Sequence, residues 1–303
     1  AVGELWPPCD WEQCSLAGGG GDAVRWAIGR AGASYPVGDG DSNGAPPAAS
    51  SPPPAALAMR VQWKADLKMC VDASPLLVCV AQGGADGECG VRVVVGSHAG
   101  LVQSLDLASG ALLWSAQLPD RLEASCAPSA DGSAVLVGCY DEHLYALGAA
   151  DGATLWRHRA GGAVKAAAPS LPLAHGGAAL CACFGGRLAA LDGTHGGGAP
   201  AVLWESALEG AVFASPLVDS ARRQVYCGDL RGCLSCFAYD DAPSATLRWR
   251  FRTTERSPPH EGCEPIFSAP ALAAAAVVFG AMDGRLYAVA ADTGAPMWSF
   301  DAG

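Results

Sequence analysis

Six tryptophans, Trp63, Trp114, Trp156, Trp204, Trp249 and Trp298, recur along the chain at intervals of 42 to 51 residues, each in nearly the same local context. Between consecutive ones the order repeats. An Ala/Ser-Ser-Pro-like strand comes first, then an apolar strand ending in Gly, a short turn, an apolar strand ending near Asp or Gly, and the Trp. Strand-type patterning at this period marks a radial array of small sheets. One four-stranded meander cannot cover both of its faces, so neighbours must stack. Such a repeat specifies a scaffold first, and chemistry only where further residues are placed on it.

The first full unit runs from Val71 to about Leu118, and the others begin near Leu122, Val164, Val212 and Ile266. The Gly closing the second strand precedes the Trp by the same 18 positions in three units: Gly96 to Trp114, Gly138 to Trp156 and Gly280 to Trp298. The other two carry extra turn-rich residues, His195–Ala201 and Asp240–Ala245, which map to the connection between third and fourth strands. Ala99-Gly100, Gly185-Gly186, Arg231-Gly232 and Asp283-Gly284 suit tight second-to-third hairpins that need positive φ. Asp141-Glu142 lacks the glycine, and a different turn is expected there. The fold class is therefore all-β: a β-propeller of four-stranded antiparallel blades, about five of them complete. Val61–Leu67 contains a Trp and reads as a lone outer strand, so the expected object is part of a larger ring. The six tryptophans read as blade-docking residues that fill the space between adjacent sheets.

Residues 1–60 differ from the propeller region, 61–303. They contain the glycine run Gly18–Gly21 and the Pro/Ser/Gly-rich stretch Asp39–Pro54, a composition that cannot offset chain entropy by burial and predicts a disordered linker. Val24–Ile28 reads as a short strand or helix. No Gly-Lys-Ser/Thr follows the glycine run, which excludes a phosphate loop. The net charge of −11 argues against nucleic-acid partners and anionic membranes. No apolar stretch is long enough for a helical span, and the expected location is the cytoplasm. The thirteen cysteines lie scattered within strand patterns and read as reduced, buried thiols. Cys233 and Cys236 form a CxxC inside a strand, where alternation puts the sulfurs on opposite faces. Cys181 and Cys183 share a face. With no second pair at zinc-site spacing, no metal is expected. The six histidines fall mainly in turns and read as isolated surface residues.

One alignment stands out as a candidate site. At the second position of each unit stand Asp72, Glu123, Lys165, Phe213 and Phe267, flanked by Val71, Leu122, Val164, Val212 and Ile266. Placed on first strands, which line a propeller's channel, they would form three charges and two aromatics at one level. That predicts a recognition site for a small ligand or peptide tail at the channel mouth. The competing reading is a wet channel in which Lys165 neutralises two carboxylates.

The unit consensus resembles the pyrroloquinoline-quinone-type propeller repeat, carried here by Leu144-Tyr145-Ala146-Leu147 with Gly152 and Trp156, and by Leu286-Tyr287-Ala288-Val289 with Thr293-Gly294 and Trp298. A narrower resemblance rests on Trp63-Lys64, Lys68 through Leu76, Gly96-Ser97-His98, Asp120-Arg121-Leu122-Glu123 and Val137-Gly138-Cys139-Tyr140. These stretches are similar to the C-terminal propeller of the beta-alanine-activating enzyme family, within the acyl-CoA synthetase and amino-acid adenylation group, and the charge order of the candidate site is similar too. The resemblance implies a ring of more than five units, and adenylation and carrier domains upstream. Neither domain is recognisable here: Gly20-Gly21-Asp22-Ala23 has alanine where a carrier's pantetheine-bearing serine would stand. A quinone-dependent dehydrogenase of this repeat type would need a calcium site and adjacent cysteines, and the chain has no Cys-Cys. The expectation is thus a non-catalytic scaffold or recognition propeller with no cofactor. Its partners would be adenylation or carrier domains of a parent enzyme, or a small aminoacyl ligand. The alternatives are a free-standing interaction propeller and, third, a quinone-dependent dehydrogenase.

Overall fold

The computed structural model describes residues 24–25, 61–81, 89–174, 176–193, 198–241, 244–253 and 263–303. The linker expected over the rest of 1–60 lies outside them. Among the described residues, twenty-one strands form five antiparallel sheets. Blade 1 holds β1 (Val24–Arg25), β2 (Leu76–Ala81), β3 (Cys89–Gly96), β4 (Leu101–Asp106) and β5 (Leu112–Gln117). Blade 2 holds β6 (Ala127–Pro128), β7 (Ala134–Gly138), β8 (His143–Gly148) and β9 (Thr154–Arg159). Blade 3 holds β10 (Ser170–Leu173), β11 (Gly176–Cys183), β12 (Arg187–Asp192) and β13 (Ala201–Ala207). Blade 4 holds β14 (Leu217–Asp219), β15 (Gln224–Gly228), β16 (Cys233–Tyr239) and β17 (Ala245–Arg252). Blade 5 holds β18 (Ala271–Ala273), β19 (Ala276–Gly280), β20 (Arg285–Ala290) and β21 (Pro296–Asp301). Each blade is a meander in sequence order, and β1 adds to the β2 edge of the first. The extra residues of blades 3 and 4 fall between third and fourth strands, as their turn-rich composition predicts.

The middle strands are largely apolar, and β7 is so throughout, because both faces are covered. In β7 Val135 and Val137 point into the cluster shared with blade 1, while Leu136 points into the cluster shared with blade 3. Four such clusters join consecutive blades, from 1 with 2 through 4 with 5. Alanine is abundant in the two clusters that flank blade 3, where close-packed sheets leave little depth per side chain.

The tryptophans set the spacing. Each stands opposite a small residue on the third strand (Ser104, Ala146, Ala190, Cys236 and Ala288 for Trp114, Trp156, Trp204, Trp249 and Trp298), and a register shift follows directly after each pair. Small partners leave room for the indole, and the bulge turns the strand. The indole then reaches the next blade's third-to-fourth turn. Trp114 Nε1 donates to Ala149 O at 3.1 Å, and Trp249 Nε1 to Ala291 O at 3.0 Å. The turn glycine allows this approach: a Cβ on Gly152 or Gly294, both at positive φ, would lie 2.5 Å from a ring carbon. Trp63 makes the same contacts with blade 1, donating to Leu107 O at 2.9 Å and lying against Gly110. Residues 61–67 also alternate in exposure as a fourth strand does, yet pair with no strand among the described residues. At the other end Trp298 is 47% exposed, with Phe300 and Leu286 beside it on the open face.

The Asp141-Glu142 turn departs from expectation. Glu142 has φ 70°, matching Gly100, Gly186, Gly232 and Gly284, and its carbonyl accepts from Ala160 N as Gly100 O does from Leu118 N. It is the same turn, built with a residue that pays the left-handed penalty. The surrounding ladder holds it there. In blades 2 and 5 the turn aspartates Asp141 and Asp283 accept the hydroxyls of Tyr145 and Tyr287, which explains the tyrosine of the Leu-Tyr-Ala motif.

Candidate functional site

In blades 2 to 5 the chain enters between its predecessor's second-to-third hairpin and its own. Leu122, Val164, Val212 and Ile266 donate their backbone N–H to the carbonyls of Ser97, Cys139, Cys183 and Asp229 in the preceding blade, at 3.0–3.1 Å. All four side chains are fully buried. The following residue in each is Glu123, Lys165, Phe213 or Phe267. Asp72 opens the set on blade 1. None of the five lies on a strand, which corrects the placement on first strands. The backbone here spends its hydrogen bonds on second-to-third hairpins, so the ladder starts several residues later.

The same hairpins supply a second row. His98, Tyr140, Phe184, Leu230 and Met282 donate backbone N–H to the carbonyls of Cys70, Arg121, Ala163, Ala211 and Pro265, each two residues before the first-row residue of its blade. Two side chains per blade therefore share one end of the molecule. The sequence reading found the first row and missed the second. A signal existed: His98, Tyr140, Leu230 and Met282 each stand two places after the Gly that closes the second strand.

The first-row residues form one connected arc. Asp72 Oδ2 lies 2.9 Å from His98 Nε2, and Glu123 Oε1 lies 3.9 Å from the same nitrogen. Glu123 Oε2 is 4.0 Å from Lys165 Nζ. The ammonium lies 4.6, 4.4 and 5.4 Å from the ring centres of Tyr140, Phe184 and Phe213. Phe213 meets Phe267 edge-on at 5.2 Å. Arg121 stacks on Tyr140 at 3.8 Å and stands 3.7 Å from Glu123 Oε1. The arc thus runs from carboxylates and imidazole, through a lysine held by three aromatic faces, to exposed rings. Lys165 is bound as much by ring quadrupoles as by charge, so simple neutralisation of two carboxylates does not describe it.

His98 is not an isolated surface histidine: its side chain is 18% exposed, and its Nε2 makes no hydrogen bond of acceptable geometry although shielded from water. Among the described residues, Asp72, His98 and Glu123 can place one ligand atom each within 4.8 Å of one another. The buried thiols offer little chemistry. Burial pushes those of Cys126, Cys139 and Cys236 up to about 12 and that of Cys233 to about 11, and it raises Cys181 and Cys227 as well. They stay protonated and poorly nucleophilic. Cys181 and Cys183 enter the same cluster, while Cys236 enters the blade 4–5 cluster that Cys233 does not join.

A family model described as "Beta-alanine-activating enzyme, beta-propeller" matches residues 67–303. Among curated proteins, the beta-alanine-activating enzyme of Homo sapiens is 36% identical over 89 residues, 29% of this chain and 8% of that protein. The Danio rerio enzyme is 42% identical over 79 residues, 26% and 6%. The aligned part is thus a small fraction of each relative. Among solved structures, BamB from Moraxella catarrhalis has TM-score 0.55 at 19% identity, covering 78% of this chain and 77% of its own. The quinohemoprotein alcohol dehydrogenase of Comamonas testosteroni gives 0.59 at 14%, covering 77% and 43%. Sqt1 of Chaetomium thermophilum, solved bound to the N-terminus of a ribosomal protein, gives 0.52 at 15%, covering 76% and 70%. At these identities the structural likeness speaks for the fold alone. No helix among the described residues is long and apolar enough to cross a membrane.

Proposed function

The chain belongs to the beta-propeller family of the beta-alanine-activating enzyme, and from that premise we propose that it is a non-catalytic recognition domain serving the adenylating machinery of such a protein. Its ligand is an aminoacyl group, free or on a carrier domain, taken at the arc. The observation that carries this is continuity: the five first-row residues from five blades, with His98 bridging the first two, join into one surface along Asp72–His98–Glu123–Lys165–Phe213–Phe267. The polar end supplies charges for an aminoacyl head group. The exposed edges of Phe184 and Phe267 supply apolar cover for the stem, a division of labour common to small-molecule sites. The buried cysteines Cys126, Cys139, Cys181, Cys227, Cys233 and Cys236, held protonated by burial, are poor candidates for a thioester step.

A second reading, a free-standing interaction propeller, places a protein tail on the same arc. It draws support from the fold shared with Sqt1, whose structure holds a protein N-terminus.

Calorimetric titration with beta-alanyl-pantetheine tests the proposal. The chain should bind it, and both Asp72/Glu123/Lys165→Ala and Phe213/Phe267→Ala should weaken binding at least tenfold, about 1.4 kcal/mol or more. Equal affinity in either variant contradicts the arc as the site. A protein tail that binds in place of the pantetheine, with the same variant sensitivity, favours the second reading.

A further inference from the structure

We propose that Asp72, His98 and Glu123 form a binding site for a divalent transition-metal ion of the zinc class, placed across the junction of blades 1 and 2. Three observations carry it. The donor set is one imidazole nitrogen and two carboxylates, each from a different segment: the entry of blade 1, the hairpin of blade 1 and the entry of blade 2. Imidazole with carboxylate suits zinc and its neighbours, whereas calcium and magnesium take oxygen ligands.

The second observation is distance. Ligand atoms bound tetrahedrally to zinc at ~2.0–2.2 Å stand roughly 3.3 Å from one another. Asp72 Oδ2 and Glu123 Oε1 lie 2.9 and 3.9 Å from His98 Nε2, on either side of that value, so a small side-chain adjustment makes both fit.

The third is the nitrogen itself. His98 Nε2 is removed from water and lacks a hydrogen bond of acceptable geometry, although a carboxylate oxygen is only 2.9 Å away. The Asp72 oxygen is close but off the line an N–H would take, and the Glu123 oxygen is beyond hydrogen-bond reach. A buried polar atom left this way is costly. An ion in front of it satisfies nitrogen and both carboxylates together.

The environment gives the site an open character. Glu123 is 15% exposed and Asp72 58%, so the ion would enter past Asp72. Three protein ligands would leave a further position for water or a ligand atom, the pattern of open rather than purely structural zinc sites. Arg121 and Lys165 approach Glu123 at 3.7 and 4.0 Å but also rest on aromatic faces, so the carboxylate is not their sole partner. The site stands on this geometry alone and holds or fails separately from the aminoacyl reading.

The test is a titration of the full chain with Zn2+ in chelated buffer, with X-ray absorption on the one-to-one complex. One equivalent should bind, with a first shell of nitrogen and oxygen only and an imidazole contribution. His98→Ala, Asp72→Asn and Glu123→Gln should each weaken it at least tenfold, with unchanged circular dichroism, while His158→Ala leaves it intact. Excess Ca2+ or Mg2+ should not displace the ion. Absence of binding, sulfur in the first shell, or equal affinity in His98→Ala would overturn the site. All of these readouts are taken without beta-alanyl-pantetheine, so they judge the metal site apart from the recognition reading.

Discussion

Trp114→Ala is expected to lower stability by about 3–5 kcal/mol, and Trp298→Ala by less than about 1 kcal/mol. The two tryptophans occupy equivalent positions in their blades, face alanine-sized partners and precede the same bulge. They differ in what lies beyond. Trp114 is 6% exposed, donates to Ala149 O and covers Gly152, whereas Trp298 is 47% exposed. Removing the first indole leaves a cavity between two sheets and takes one of two donors from Ala149 O, which also accepts from Arg92 Nη1; removing the second mostly uncovers solvent. Urea unfolding followed by circular dichroism measures both. Equal losses would mean that the indoles stabilise their own blades instead of joining neighbours.

Gly138→Ala should cost about 3 kcal/mol, at the upper end of overpacking effects, while Gly280→Ala should be nearly neutral. Both glycines close a second strand. A Cβ on Gly138 would stand 2.4 Å from Val164 O and 2.6 Å from Val164 Cγ1. The backbone oxygen belongs to an entry segment already anchored through Val164 N to Cys139 O, so it cannot yield cheaply. At Gly280 the nearest atom would be Ser268 Oγ at 3.6 Å, an ordinary contact, because no further entry segment crosses there among the described residues. The same melts, read on the two variants, report this contrast. A neutral Gly138→Ala would contradict the docking of blade 3 onto the blade 2 hairpin.

The architecture was legible because its determinants are periodic. A large indole, a closing glycine and a turn glycine recur at fixed offsets, and each answers a close approach between sheets. The arc was half legible. Asp72, Glu123, Lys165, Phe213 and Phe267 could be aligned because a buried aliphatic precedes four of them, yet their local sequence looks like strand. Only the second-to-third hairpins, which take the hydrogen bonds of these entry segments, reveal that they are not on one. His98 and Tyr140 share a fixed offset from the glycine that closes the second strand, but residue types that differ from blade to blade hid the row; their roles arise where separate segments converge. Glu142 shows the limit of composition. A left-handed turn position demands a backbone angle and not a residue type, so the ladder on both sides overrode the missing glycine.

The central claim is that indoles on fourth strands fasten each blade to the next. Hydrogen exchange of the indole N–H groups in chain labelled with 15N-tryptophan tests it most directly, the nine signals being assigned through Trp→Phe variants. The account predicts strong protection for Trp114 and Trp249, whose Nε1 groups donate to Ala149 O and Ala291 O, and near-free exchange for Trp298. Near-free exchange of Trp114 and Trp249 alongside Trp298 would contradict it.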